Sequence, residues 1–164
     1  MMNTQRLIKI SLLLAIIMVN IGCDQVSKKI VRDNIKPYET IQLLNNNITV
    51  THVENTGAFL SVGDSLPKTA KNILLSILPV MALLFGAIFI FSRHNMSTGM
   101  LTGFCFVIGG GIGNIFDRIA YGSVTDFLHV NLGFFQTGIF NLADMSIMLG
   151  ASIVLLQAIR KKVQ

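Results

Sequence analysis

The chain has 164 residues, of which 52% are hydrophobic and only 13% charged, with a mean hydropathy of +0.65 and a net charge of +5. A water-soluble domain of this length carries about a quarter charged residues. That excludes a disordered chain, a disulfide-rich secreted module and an ordinary cytosolic enzyme; the solvent of this single domain is mostly lipid.

In chain order, the first apolar stretch runs over 7–23, behind Arg6 and Lys9. Its end, Ile21-Gly22-Cys23, has the form of a secretory signal closed by a lipid-accepting cysteine. Asn20 is a poor residue three places before such a cysteine, and three further spans do not suit a tethered lipoprotein. An uncleaved first helix is therefore expected. Asp24 and Lys28 follow at the four-residue spacing of a helical ion pair. Thr40–Leu44 and Ile48–Val53 are rich in β-branched residues, and Asn45-Asn46-Asn47 between them suits a turn. These segments predict a small outward-facing β element between helices one and two, within 24–72. A polar–glycine–aromatic loop follows, Asn55-Thr56-Gly57-Ala58-Phe59.

The second stretch, 73–91, contains Pro79, which is expected to kink the helix without ending it. A short turn with Arg93 and His94 leads to the third, 99–116. Here Gly99 and Gly103, then Gly109 and Gly113, have the small-xxx-small spacing of close helix packing. The stretch closes on Asn114 and Arg118, which share a helix face. Arg118 carries a planar fork suited to a carboxylate or a lipid phosphate. The outward segment 117–138 contains Val124-Thr125-Asp126-Phe127, read as a loop that holds Asp126 at the membrane boundary. The last stretch, 139–159, carries Asn141 and Asp144. Each stretch approaches the roughly 20 residues that cross a bilayer as a helix, so the predicted fold is an all-α membrane protein of four spans.

Six Lys or Arg residues (Arg6, Lys9, Arg93, Arg160, Lys161, Lys162) and no acidic residue fall on one side of this arrangement. All eight acidic residues fall on the other. Basic short loops stay cytoplasmic, so both termini are expected inside. The net charge then reflects topology and attraction to anionic lipid, with no nucleic acid as partner. Cys23 and Cys105 lie in apolar stretches, which speaks against a disulfide, and no Cys or His spacing suits a metal. His52, His94 and His129 read as interface residues.

Asp144 lies five residues into its stretch, about 8 Å along the helix. An ionisable group there is costly, and its readings are interhelical glue, a proton or ion relay, or a catalytic group. Asp126 alone reads most simply as a solvated loop acid. Together the two change the balance, because carboxylates that share a site hold one proton between them. Such a pair does the work of an aspartic protease: one member deprotonates water and the other hydrogen-bonds the scissile carbonyl.

Taken together, the blocks Asp24-Gln25-Val26-Ser27-Lys28, Asn55–Phe59, Gly110–Arg118, Val124–Phe127 and Phe140–Asp144 closely resemble the bacterial lipoprotein signal peptidases (signal peptidase II). The resemblance covers nearly the whole chain, with the blocks in the family's order. It implies an intramembrane aspartic endopeptidase that cleaves prolipoproteins just before a diacylglyceryl-modified cysteine, with no metal or organic cofactor. It assigns the catalytic pair to Asp126 and Asp144, and supporting or substrate-binding positions to Asp24, Lys28, Asn55, Gly57, Asn114, Arg118, Asn141 and Ala143. Two departures stand out. Phe134-Phe135-Gln136-Thr137 occupies a stretch where the family often has Trp, and the Asn55 block has a single Ala where a second small residue is common.

The expected protein is thus a monomeric multi-pass enzyme of the bacterial cytoplasmic (inner) membrane, with its site toward the outer face and prolipoproteins and membrane lipids as partners. The rival from another class is a small transporter or proton-conducting protein using Asp144, Asn114 and Arg118. It needs polar residues along a whole span, whereas here they cluster near one end.

Overall fold

Apolar runs become helices because lipid leaves the backbone to satisfy itself. The computed structural model describes residues 4–58, 62–92 and 96–163. Its elements are α1 (Thr4–Asn34), β1 (Thr40–Leu43), β2 (Ile48–Asn55), α2 (Lys68–Asn72), a π-helical turn (Ile73–Ile77), α3 (Leu78–Ser92), α4 (Thr98–Tyr121), β3 (Val124–Val130) and α5 (Leu142–Val163). Four helical spans are long and apolar enough to cross a membrane: Leu7–Asn34, Lys68–Ile90, Thr98–Tyr121 and Leu142–Arg160. Arg93 and His94 of the basic turn, and Phe59 of the Asn55 loop, lie outside the described residues.

The boundaries differ from expectation in three places. The first helix does not end at Cys23 but continues to Asn34. Its charged residues find partners one turn away, Asp24 with Lys28 and Lys29 with Asp33, each at 2.8 Å. The helix stops only as Pro37 approaches. The third helix runs past 116 to Tyr121, where Gly122 takes a left-handed φ of 78° and returns its N–H to Arg118. The fourth starts at Leu142 rather than 139, because Phe140 is engaged in a β-bridge with Leu128. Pro79 lies inside a helical run that continues through it. The π turn just before it carries the chain past the missing N–H.

The expected β element is a three-stranded sheet, in which a third strand from between the last two helices joins the two that lie between the first two. β2 pairs antiparallel with β1 (Thr40 opposite Thr51) and with β3 (Asn55 opposite Val124), interrupted by an irregularity between Val50 and Val53. Segment 124–130, expected as a loop, is therefore a strand, and Val53 pairs directly with Asp126. Asn45 and Asn46 turn β1 into β2 with φ of 55° and 69°, a conformation that Asn tolerates better than most residues.

α4 is the centre of the bundle and packs on α1, α3 and α5. Its glycines make the approach close. A Cβ on Gly113 would lie 2.5 Å from Asp24 Oδ2, one on Gly150 would lie 2.5 Å from the Gly103 carbonyl, and one on Gly110 would run into the Ala143 carbonyl. The small-xxx-small reading thus holds for Gly99, Gly103, Gly109 and Gly113, all of which face a neighbouring helix at contact distance. Gly110→Ala is expected to destabilise the protein by about 1–3 kcal/mol, since backbone on a second helix must move. Gly86→Ala, with nothing within 4 Å of the new methyl, should leave thermal unfolding in detergent unchanged. Equal midpoints for the two variants would refute this packing.

Few apolar side chains are fully buried. Val31, Ile35 and Phe127, flanked by Val50, Leu128 and Leu142, fasten the end of α1 to the sheet. The largest completely buried side chains are instead Lys28, Asn141, Thr125, Asp24 and Asp117. With lipid outside, apolar residues turn outward and the polar ones are gathered within.

Candidate active site

A helix begins with backbone N–H groups that have no partner in the helix, and Asn is among the residues that satisfy them. Asn141 does so for α5. Its Oδ1 accepts the Asp144 N–H at 2.9 Å, while Asp144 Oδ2 accepts the Asn141 N–H at 3.3 Å. The pair is a reciprocal capping box. Asp144 is therefore in the first turn of its helix, and its position some 8 Å deep is corrected to about 4.5 Å beyond the cap. A third contact comes from outside, where Asp24 Oδ1 accepts the Ala143 N–H at 2.9 Å.

Asn141 also joins the two acids. Its Nδ2 donates to Asp126 Oδ1 at 2.6 Å. Each carboxylate has one further amide donor: Asn55 Nδ2 to Asp126 Oδ2, and Asn114 Nδ2 to Asp144 Oδ1, both at 2.8 Å. Asp126 is 4% exposed. Burial, reinforced by the charge of Asp144 and opposed by the amide donors, pushes its carboxyl up to about 6.

The loop after β2 folds over Asp126. Asn55 Oδ1 accepts the Gly57 N–H, Asn55 Nδ2 also reaches the Ala58 carbonyl, and the Gly57 carbonyl accepts Arg118 Nη2 at 3.1 Å. Gly57 is buried and Arg118 half-buried. A cleft of about 280 Å³ opens beside Arg118, between Thr56, Leu66, Lys71, Leu75 and Ser76.

Behind the acids lies a balanced cluster. Lys28 Nζ is completely buried and uses all three donors: on Asp24 at 2.8 Å, Asp117 at 3.1 Å and Asn114 Oδ1 at 2.9 Å. The expected Asp24–Lys28 pair is present, though within α1 rather than at its end. All ten residues singled out in the sequence are brought into one connected site: Asp24, Lys28, Asn55, Gly57, Asn114, Arg118, Asp126, Asn141, Ala143 and Asp144.

Sequence reasoning missed Asp117, Gln25, Arg32, Thr125 and Glu54. Gln25 Nε2 bridges Asp24, Asp117 and the Gly113 carbonyl. Arg32 donates to Thr125 Oγ1 at 2.7 Å and stacks over the Tyr121 ring. His52, read as an interface residue, is buried between the Ile35 carbonyl and Glu54. Burial works against ionising Glu54, but hydrogen bonds from Ser123, Thr125 and His52 outweigh it and hold the carboxyl below its usual range. The available signal was that Gln25, Asp117 and Thr125 stand inside the blocks that carry the others.

Among the described residues no group of three or more His, Cys, Asp or Glu could hold a metal ion. Cys23 and Cys105 are free thiols. Cys23 is in the interior of α1, which runs on through it.

Four apolar spans, three of which carry a cluster of buried acids and their donors, make this a multi-pass membrane protein. Two solved structures described as bacterial membrane enzymes, determined by the in meso method at 2.3 and 1.9 Å resolution, share the fold. The first has a TM-score of 0.84 and 23% identity, over 93% of this chain and 90% of the other. The second has 0.78 and 24%, over 90% and 92%. Residues 16–160 match the family model described as Signal peptidase (SPase) II. The chain belongs to that family and is a peptidase. Similar proteins named lipoprotein signal peptidase include those of Wigglesworthia glossinidia brevipalpis (34% identical, 80% of this chain and 84% of that one) and Desulforapulum autotrophicum (30%, 99% and 98%). Another is that of Chlorobium phaeobacteroides, 32% identical over 81% of each chain.

Proposed function

We propose that this peptidase removes signal peptides from prolipoproteins on the amino side of a diacylglyceryl-modified cysteine, with Asp126 and Asp144 acting together on one water. The observation that carries the reading is the Asn141 bridge. One residue contacts both carboxylates, Asp126 through its side-chain amide and Asp144 through its backbone N–H, and each carboxylate is held at its other oxygen by a second amide. Asp144 takes the role of base, accepting a proton from the attacking water. Asp126, the acid raised to about 6 by burial, holds the shared proton and donates it toward the scissile carbonyl oxygen. Arg118 and the Asn55–Ala58 loop line the approach and hold the substrate backbone.

The site lies at the end of the bundle opposite the basic termini, and the positive-inside rule supports an outer-facing site in the cytoplasmic membrane with both termini inside. A diacylglyceryl substrate keeps its acyl chains in the bilayer and enters sideways. Among the described residues, Ser146 donates to Asn20 inward of Asp24 and Asp144, and Asn20 to the Ile16 carbonyl. The carboxylates and their donors gather at one end of the bundle, which favours a peptidase site over the polar path through a whole span that the transporter reading needs.

The test uses purified protein and one prolipoprotein in two forms, diacylglyceryl-modified and unmodified. Mass spectrometry should show a product beginning at the modified cysteine, and little turnover of the unmodified form. Equal cleavage of both forms, or a cut at another bond, would overturn the assignment.

A further inference from the structure

The acid that contributes most contacts behind the site is one the proposed chemistry does not use. Asp117, on α4, is fully buried and is met by four donors. Its Oδ2 takes Lys28 Nζ at 3.1 Å and the Thr125 N–H at 3.3 Å. Its Oδ1 takes Gln25 Nε2 at 3.1 Å and faces Arg32 Nη1 at 3.6 Å. Four donors from two other elements, α1 and β3, converge on two oxygens.

Two of these contacts lead to the two acids by separate routes. The Thr125 N–H belongs to the residue immediately before Asp126, so Asp117 fixes the β3 backbone from which Asp126 projects. The Lys28 ammonium is shared with Asn114 Oδ1 at 2.9 Å, and the Nδ2 of that amide holds Asp144 Oδ1 at 2.8 Å. With Lys28 on its oxygen, Asn114 can present only its NH2 to Asp144. Lys28 is aimed by Asp117 from one side and by Asp24 from the other.

We infer that Asp117 is a positioning residue for both acids, setting the distance between Asp126 and Asp144 through Thr125 on one route and through Lys28 and Asn114 on the other. This rests on the proposed Asp126/Asp144 dyad. The role requires an acceptor on both oxygens. Asn at 117 turns an NH2 toward one pair of donors and loosens one route. Glu keeps the charge but moves the oxygens by a methylene, so it disturbs the distances alone. Because Asp117 touches neither water nor substrate, its loss acts on the chemical step and not on substrate binding.

Asp117→Asn and Asp117→Glu are each expected to lower kcat at least tenfold while KM stays within twofold, with rates normalised to protein in the main size-exclusion peak. Asp33→Asn removes a charge from the exposed Lys29 pair on α1 and should match the parent protein. If Asp117→Asn yields no folded protein, Asp117→Glu carries the test by itself. A parental kcat, or a fall matched by an equal change in KM, overturns the inference. Asp126→Asn and Asp144→Asn are measured alongside. If these are inert and the Asp117 variants are not, only the positioning role fails; if all retain activity, the dyad fails first.

Discussion

Asp126→Asn and Asp144→Asn are each expected to reduce cleavage of a modified prolipoprotein by about 10³-fold or more, the scale of removing a positioned acid or base. The effects should not add. Both residues act on one water and one carbonyl, so the double variant should be no slower than the worse single one. The substitutions differ in another respect, which separates chemistry from structure. Asp126 binds its proton more tightly in the folded chain, where its value is about 6, than in the unfolded chain near 3.8. Its contribution to stability is therefore complete below about pH 4 and is lost as pH rises through 6. At pH 8 the wild type carries an ionised buried group that costs about 2–3 kcal/mol. Asp126→Asn removes that charge. Part of the gain is forfeited because one of its two amide donors then faces a nitrogen. The variant should melt above the wild type at pH 8 and no higher than it at pH 4.5, while remaining inactive at both. Melting in parallel across that range would show that the burial argument is wrong, and wild-type turnover by either single variant would remove the dyad.

Lys28→Met is expected to cost about 3–5 kcal/mol of stability, the scale of breaking a buried ion pair from one side. Asp24, Asp117 and the Asn114 oxygen would all lose their shared donor. Asp24→Asn should cost less, because an amide oxygen can still accept the Ala143 N–H. Combining the two should recover part of the Lys28→Met loss, since Asp117, which still faces Arg32, is then the one remaining carboxylate that has lost Lys28. Thermal unfolding in detergent at pH 7 reads all three variants. A Lys28→Met midpoint indistinguishable from wild type would mean that the cluster contributes nothing to holding α1 against α4.

The spans were legible because lipid imposes a composition that nothing else in the chain mimics. Their ends were less so. Asp24, Lys28, Lys29, Arg32 and Asp33 look like the end of a membrane helix when read singly. They become the continuation of α1 once their partners are known, and those partners include Asp117 and Thr125, far along the chain. β3 was missed for a similar reason. Seven residues with three polar positions read as a loop until β2, some seventy residues earlier, supplies the ladder. The site residues were found chiefly through the family resemblance. The capping box of Asn141 and Asp144 went unread, because an apolar run taken to start at 139 hides the helix start at Leu142. Asp117 was not visible, because its role consists wholly of tertiary contacts.

Helix ends are ordinarily where native structure comes apart first, opening and reclosing while the rest stays folded. Asp144 occupies such a place, one turn from the start of α5. Most proteins would leave a group there subject to constant local opening. Here the first turn is fastened by its own cap, by Asp24 from α1 and by Asn114 from α4. Fraying at this end would therefore mean breaking contacts with two other helices at once. The carboxylate keeps its geometry for as long as the bundle itself holds together.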